Sequence, residues 1–218
     1  MSSLPACAPK VAAALVEIGA VGVRANNPIT FKSGIVSPVY VDNRILPSFP
    51  DQWRIVVEGF KALIDEKGIA VDTLAGVAVG GVPHASALGF LMNRPSLFIR
   101  KEAKGHGTGK RVEGGNVEGK QVLLIEDLIT TGGSSLSAVE ALREEGAKID
   151  TTAAIVTYGF VESVKAFAEA KITAYALTDF PTILKAGYDM GKFSADEKAI
   201  VEDWLSDPHG WGDRRKAS

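Results

Sequence analysis

Only one cysteine, Cys7, occurs among the 218 residues. That excludes an internal disulfide framework, and the lone thiol fits a reducing cytosol, so a cytoplasmic setting is expected. Cys7 is not read as a nucleophile, because no positioned histidine is supplied for it. An excess of charge is also missing. Lys plus Arg number 24 against 26 Asp plus Glu, a formal net charge of −2, which gives no global pull toward nucleic acid or membrane. No apolar run is long enough to span a bilayer. The N-terminus lacks a basic region followed by an apolar core, so no signal peptide is expected. Internal repeats and low-complexity stretches are absent.

What is present concentrates in Val122–Ser134, an apolar run ending in Glu126 and Asp127, then Thr130, Thr131, Gly132, Gly133 and Ser134. Val122 to Ile125 suit a strand buried on both faces. Two carboxylates cannot be buried unpaired cheaply, so the pair is expected to mark the strand's exit into a cleft. Adjacent carboxylates can accept hydrogen bonds from a vicinal diol or help place a hydrated cation. The short residues after them let backbone N–H groups ring a phosphate. A helix over Ser135 to Glu145 follows, with Leu136, Val139 and Leu142 at helical spacing and Gly146 at its C-cap. Its dipole would face that phosphate. A plain strand, capped turn and surface helix would explain the glycines alone, but not the full order of residues. The loop has no Gly-Lys-Ser/Thr ending, which excludes a nucleotide triphosphate P-loop. It has no Gly-x-Gly-x-x-Gly, which argues against a dinucleotide fold.

Elsewhere strands and helices alternate. A first helix carries Val11, Leu15 and Ile18, and a strand is expected near Val39–Val41. A second helix opens at Pro50–Asp51, presents Trp53, Val56, Phe60, Leu63 and Ile64, and ends at Gly68. Strands near Leu74–Val79, Ser96–Arg100, Val122–Ile125, Thr152–Thr157 and Ile172–Leu177 alternate with helices near Pro83–Met92, Ser135–Glu145 and Val164–Ala170. This indicates an α/β fold, an open parallel sheet flanked by helices. Ser194 and Glu197 form a capping box for a last helix to about Leu205. One domain over 1–218 is expected, with 207–218 as a flexible tail. Ligands of such sheets bind beyond the carboxyl ends of the strands, where Gly80–Gly81, Arg100–Lys101 and Glu126–Asp127 would converge.

Three segments carry a resemblance. Glu126 through Ser134 resembles the phosphoribosyl pyrophosphate (PRPP) signature of type I phosphoribosyltransferases. The resemblance implies that Glu126 and Asp127 contact the ribose 2- and 3-hydroxyls. It also implies that Leu128, Ile129, Thr130, Thr131, Gly132, Gly133 and Ser134 form the loop holding the 5-phosphate. Arg100-Lys101-Glu102-Ala103-Lys104-Gly105-His106-Gly107 is similar to the Arg-Lys-x-x-Lys-x-His-Gly run of orotate phosphoribosyltransferases. By physics alone the stretch Arg100–Gly114 that contains it is a glycine-rich cationic loop of a length uncommon without function, suited to covering a departing pyrophosphate. By resemblance it is a lid closing over the neighbouring subunit's active site, which implies a homodimer. Arg100, Lys101, Lys104 and His106 would contact PRPP, and Lys104 with Asp127 would be catalytic. Third, Lys32-Ser33-Gly34 with Ser37-Pro38-Val39-Tyr40 resembles the hood segment of the same family. It implies a small hood over about 1–48, with Lys32 reaching PRPP or orotate and Tyr40 lining the base pocket. Val79-Gly80-Gly81-Val82-Pro83-His84 resembles the pyrophosphate loop, with Gly80 and Gly81 as its close-approach residues and His84 at a helix start or rim.

The resemblance implies transfer of the phosphoribosyl group from PRPP to orotate, with Mg²⁺ carried mainly by PRPP and no direct metal ligand from the chain. One departure stands out. Many orotate phosphoribosyltransferases place an orotate-binding arginine after the next strand, where this chain reads Thr157-Tyr158-Gly159-Phe160. Thr130, Lys32 and Tyr40 become the orotate-binding candidates. A uracil or purine phosphoribosyltransferase would lack both the Lys32–Tyr40 segment and the lid run. A PRPP-sensing regulator would add a nucleic-acid-binding module or basic face, so no nucleic-acid partner is expected.

Overall fold

The computed structural model describes residues 3–31, 33–102 and 110–217. Lys32, Lys104 and His106, expected substrate contacts, lie outside the described residues. Helix α1 (Ala8–Glu17) leads into four short strands, β1 (Val21–Val23), β2 (Ile29–Thr30), β3 (Val36–Ser37) and β4 (Val39–Val41). β1 pairs with β4 and β2 with β3, both antiparallel. Only β4 is legible in the sequence, because strands of two or three residues carry too little alternation to register. A 3-10 helix, Asn43–Ser48, leads into α2 (Pro50–Lys67), which opens on proline and ends at Gly68 with φ 61°.

The main body is β5 (Thr73–Val77), α3 (Gly81–Met92), β6 (Ser96–Ile99), β7 (Val112–Glu113), β8 (Gln121–Ile129), α4 (Gly133–Glu144), β9 (Lys148–Thr157), α5 (Val161–Glu169) and β10 (Thr173–Asp179). The sheet order is β10-β9-β8-β5-β6-β7. All pairs are parallel except β6 with β7, a short edge strand inside what the sequence presents as loop. The chain runs outward from β5 to β6 and then crosses to β8 on β5's other side. The switch point of this sheet therefore lies between β5 and β8.

Alternation along β8 divides the core. Leu123 and Ile125 join a cluster with α1, α2 and α3, including Val11, Phe60 and Leu88. Val122 and Leu124 face a second cluster with Val139 and Leu142 of α4 and Phe167 of α5. Each β8 residue reverses the side-chain direction of the last, so one apolar run stitches both layers.

After β10 come α6 (Phe180–Asp189), α7 (Ala195–Ser206) and α8 (Trp211–Ala217). α7 carries the expected capping box between Ser194 and Glu197. The segment expected as a flexible tail, 207–218, carries α8 over Trp211–Ala217, and Trp211 is buried. Gly212 sits on Val36, and Trp204 Nε1 donates to the Val36 carbonyl at 3.0 Å. The β2–β3 region thus rests on the C-terminal helices. An aromatic residue inside a polar segment was the available sign that this tail docks.

No described helix is long and apolar enough to cross a membrane.

Candidate active site

β8 does not stop at its apolar run. It continues through Glu126 and Asp127 to Ile129, so the acids lie within the strand rather than at its exit. Glu126 is buried, and its Oε2 accepts from Ser135 Oγ at 3.1 Å. Its Oε1 accepts from the Asp127 N–H, also at 3.1 Å. Burial pushes the Glu126 pKa well up and the adjacent Asp127 carboxylate adds to this, while the two donors pull the other way. Asp127 lies against Gly80: a Cβ on Gly80 would overlap its carboxylate. Its carbonyl oxygen accepts from Asn43 Nδ2 at 2.7 Å.

The residues after β8 form a glycine- and hydroxyl-rich loop. Gly132 has φ 86°, and a Cβ there would come within 2.9 Å of Phe167 Cε2, so glycine is required by both backbone and packing. It serves as N-cap of α4 without any side-chain cap, so the first N–H groups of that helix are offered to the loop. Thr130, Thr131, Gly132, Gly133 and Ser134 line a cavity of about 420 Å³, which Phe31 and Tyr40 close from the N-terminal strand region and Tyr158 from the end of β9. A second cavity of about 770 Å³ is lined by Gly80, Arg100, Lys101, Glu126 and Asp127. The two cavities share Val41, Arg44, Glu126, Leu128 and Ser134.

Most expected residues are therefore gathered at the carboxyl edge of the sheet, but two are placed differently. The Ile129 side chain is buried in the α4–α5 core and lines neither cavity. Gly81 also lines neither, because it packs on the β8 backbone at Ile125. The expected lid is anchored at its base. Arg100 N–H donates to the Arg111 carbonyl, Arg111 Nε donates back to the Arg100 carbonyl, each at 2.9 Å, and an Arg111 guanidinium nitrogen reaches the Ser137 carbonyl at 3.0 Å. Tyr40 lines the first cavity with the Arg24 guanidinium 4.9 Å over its ring, so one aromatic face is already covered.

Tyr158 stands where the family pattern places an arginine. It packs against Phe31, Phe160, Phe180 and Trp204, and its buried hydroxyl has no hydrogen-bond partner among the described residues. Arg44, given no site role from sequence, borders both cavities. It forms a two-point pair with Asp42 at 2.6 and 2.9 Å. Asn43 and Ser135 are further supports of the acids that the sequence does not announce, because their partners lie far along the chain or on other elements.

Among the described residues no group of three or more His, Cys, Asp or Glu side chains gathers to hold a metal. Each Glu126 oxygen already accepts one internal hydrogen bond, and the Asp127 carboxylate lies beside it. That donor set suits a cation carried mostly by substrate oxygens and water.

The family model for the phosphoribosyl transferase domain matches residues 52–166. The orotate phosphoribosyltransferase of Bacillus caldolyticus is 40% identical over 202 residues, covering 93% of this chain and 98% of that protein. The solved orotate phosphoribosyltransferase from Aeropyrum pernix is 28% identical with a TM-score of 0.73, covering 84% of this chain and 99% of that one. Leishmania donovani UMP synthase superposes with a TM-score of 0.81 at 26% identity over 91% of this chain, which spans 42% of that longer protein. With the acid-bearing strand, the glycine-hydroxyl loop and the parallel sheet all in place, the chain belongs to the phosphoribosyltransferase family, among the orotate phosphoribosyltransferases.

Proposed function

We infer that this chain transfers the 5-phosphoribosyl group of PRPP to N1 of orotate, giving orotidine 5-phosphate and pyrophosphate. The observation that carries this is the pair of cavities joined at Glu126. One ends in the phosphate loop, the other in Gly80, Arg100 and Lys101. A ligand with a phosphate at one end, a diol in the middle and a diphosphate at the other matches that sequence of chemistry.

Thr130 to Ser134 hold the 5-phosphate, remote from the bond that breaks, so its binding energy orients the ribose. Glu126 and Asp127 take the ribose hydroxyls. Early cleavage of the C1–O bond leaves an oxocarbenium-like ribose, and its cost falls as charge on the departing pyrophosphate is offset by Arg100, Lys101 and Lys104. Mg²⁺, when bound with PRPP, supplies further neutralisation of those oxygens. Deprotonated orotate N1 is itself a nucleophile, so no strong general base is required. Tyr40, Thr130 and Lys32 bound the orotate side.

A homodimer sharing the lid belongs to the same proposal. Phe90 is 93% and Leu91 46% exposed on α3, an apolar surface that a partner would cover. A reducing, cytoplasmic setting is supported by the single free thiol of Cys7.

The test follows orotate absorbance in the presence of PRPP and Mg²⁺, then repeats the assay with uracil, hypoxanthine and adenine. Loss of the orotate signal alone is expected. No loss with orotate, or faster turnover of another base, overturns the assignment.

A further inference from the structure

We propose that Arg44 determines specificity for the base: the outer end of its guanidinium binds the C6 carboxylate of orotate, the group that distinguishes orotate from uracil. This rests on the orotate assignment and names the residue of that site that reads the carboxylate.

The first cavity has two anionic groups to take, the 5-phosphate of PRPP and the orotate carboxylate. The glycine-hydroxyl loop and the N–H groups at the start of α4 suit the phosphate. The carboxylate needs a donor of its own. Among the described residues, Arg44 is the one cationic side chain that lines this cavity. Arg24 lies over the Tyr40 ring and lines neither cavity. Tyr158, at the β9 side, is uncharged and its hydroxyl is enclosed.

Arg44 also lines the second cavity, with Gly80, Arg100 and Lys101. It therefore stands where the two cavities meet. Orotate chemistry brings its carboxylate to that place. C1 of PRPP lies between the phosphate end and the diphosphate end of the molecule. Orotate N1 bonds to C1, and the carboxylate is carried on C6, the ring atom next to N1.

The side chain is held so as to present one end. Arg44 Nε and Nη2 donate to the two carboxylate oxygens of Asp42 at 2.6 and 2.9 Å. Asp42 Oδ1 also accepts from the Arg44 backbone N–H at 3.2 Å. Every hydrogen bond the guanidinium makes with the described residues goes to Asp42. A planar guanidinium gripped along that side keeps a second fork of N–H donors at its tip, which matches the two oxygens of another carboxylate. The side chain is 68% exposed, so the tip is open to a ligand. The next residue, Asn43, is tied to the Asp127 carbonyl at 2.7 Å, which fixes this turn against the strand that takes the ribose.

The test uses two ligands that differ only in the carboxylate. Calorimetry measures orotidine 5-phosphate, uridine 5-phosphate and PRPP on the unsubstituted protein and on Arg44→Met. The unsubstituted protein should prefer orotidine 5-phosphate to uridine 5-phosphate by on the order of 10–100-fold, the range for a charged hydrogen-bonded pair. Arg44→Met should reduce that preference to less than about threefold and change PRPP affinity by less than about threefold. KM for orotate should rise with the lost preference. Arg44→Met leaves the Asp42 charge behind, so Asp42→Asn with Arg44→Met is measured too, since it removes both charges and the fork together. The double variant should show the same loss. A preference restored there would trace the effect to repulsion by Asp42 and overturn the contact. A preference kept by Arg44→Met, or PRPP affinity falling as steeply as that for orotidine 5-phosphate, also overturns it. Melting curves check folding. If the methionine variants do not fold, Arg44→Lys carries the comparison, because it keeps the charge without the fork: an intermediate preference is expected, and a full one overturns the role. Failure of the unsubstituted protein to turn over orotate sinks the base assignment and this role with it. Orotate turnover with the preference untouched by Arg44→Met sinks Arg44 alone.

Discussion

Asn43 donates its side-chain amide to the carbonyl oxygen of Asp127 across 2.7 Å, tying the 3-10 segment that follows β4 to the acid-bearing strand. Asn43 is 1% exposed, so its loss leaves a carbonyl without that donor in a dry setting. Asn43→Ala is expected to cost about 1–3 kcal/mol in stability. It should also raise KM for PRPP, because the strand end carrying Asp127 loses its clamp. Urea unfolding and steady-state kinetics check the two parts, and an unchanged KM would mean the bond serves the fold alone.

Two neighbouring glycines should fail in different ways. A Cβ on Gly80 meets the Asp127 carboxylate, the end of a side chain, whereas a Cβ on Gly81 meets the Ile125 carbonyl, which is strand backbone. Gly80→Ala should fold and lose PRPP affinity. Gly81→Ala should lose stability first, since overpacking against backbone typically costs about 1–3 kcal/mol. Melting curves and PRPP calorimetry on both variants distinguish them. Equal melting temperatures would contradict the packing role of Gly81.

Glu126 should make the protein less stable as pH rises. Its folded pKa is raised, chiefly by burial and then by Asp127. The folded chain therefore keeps a proton that the unfolded chain gives up near the ordinary carboxylate range, and stability falls as pH climbs from there through the folded value. Glu126→Gln keeps an oxygen for Ser135 and removes the charge. It should melt higher than the unsubstituted protein at neutral pH, by roughly 2–4 °C per kcal/mol relieved, and match it in acid. Activity should fall at the same time. A constant difference across pH would show that Glu126 is ionised at no cost.

Lys104 is proposed as the main cation on the leaving pyrophosphate. Lys104→Ala should lower kcat by on the order of 100-fold or more while the melting temperature is kept. Mixing Lys104→Ala with Asp127→Asn subunits should restore part of the activity if the lid serves a neighbouring subunit. No restoration would place its action within one chain, and near-normal turnover by Lys104→Ala would remove it from the mechanism.

The alternation of strands and helices was legible because each central element carries its period within itself. The run Val122–Ile125 reads as a doubly buried strand, Phe60 and its neighbours as a helix face, and Gly68 and Ser194 as punctuation. The glycine-hydroxyl loop was legible for the same reason, since a phosphate needs short residues in a row. The β1–β4 and β2–β3 ladders and β7 were not, because two or three residues carry no usable period and depend on partners elsewhere in the chain. The C-terminal helix is not legible because its polar residues outvote Trp211, whose burial depends on a surface the β2–β3 segment supplies from the other end of the chain.

Local order in the sequence determined the parallel sheet, the acids on β8 and the glycine-hydroxyl loop, since backbone propensity and side-chain period act over a few residues. Only the tertiary structure decided what surrounds those acids. Asn43, Gly80 and Ser135 reach Glu126 and Asp127 from separate elements, and hydrogen bonding and burial depend on distance in space rather than along the chain.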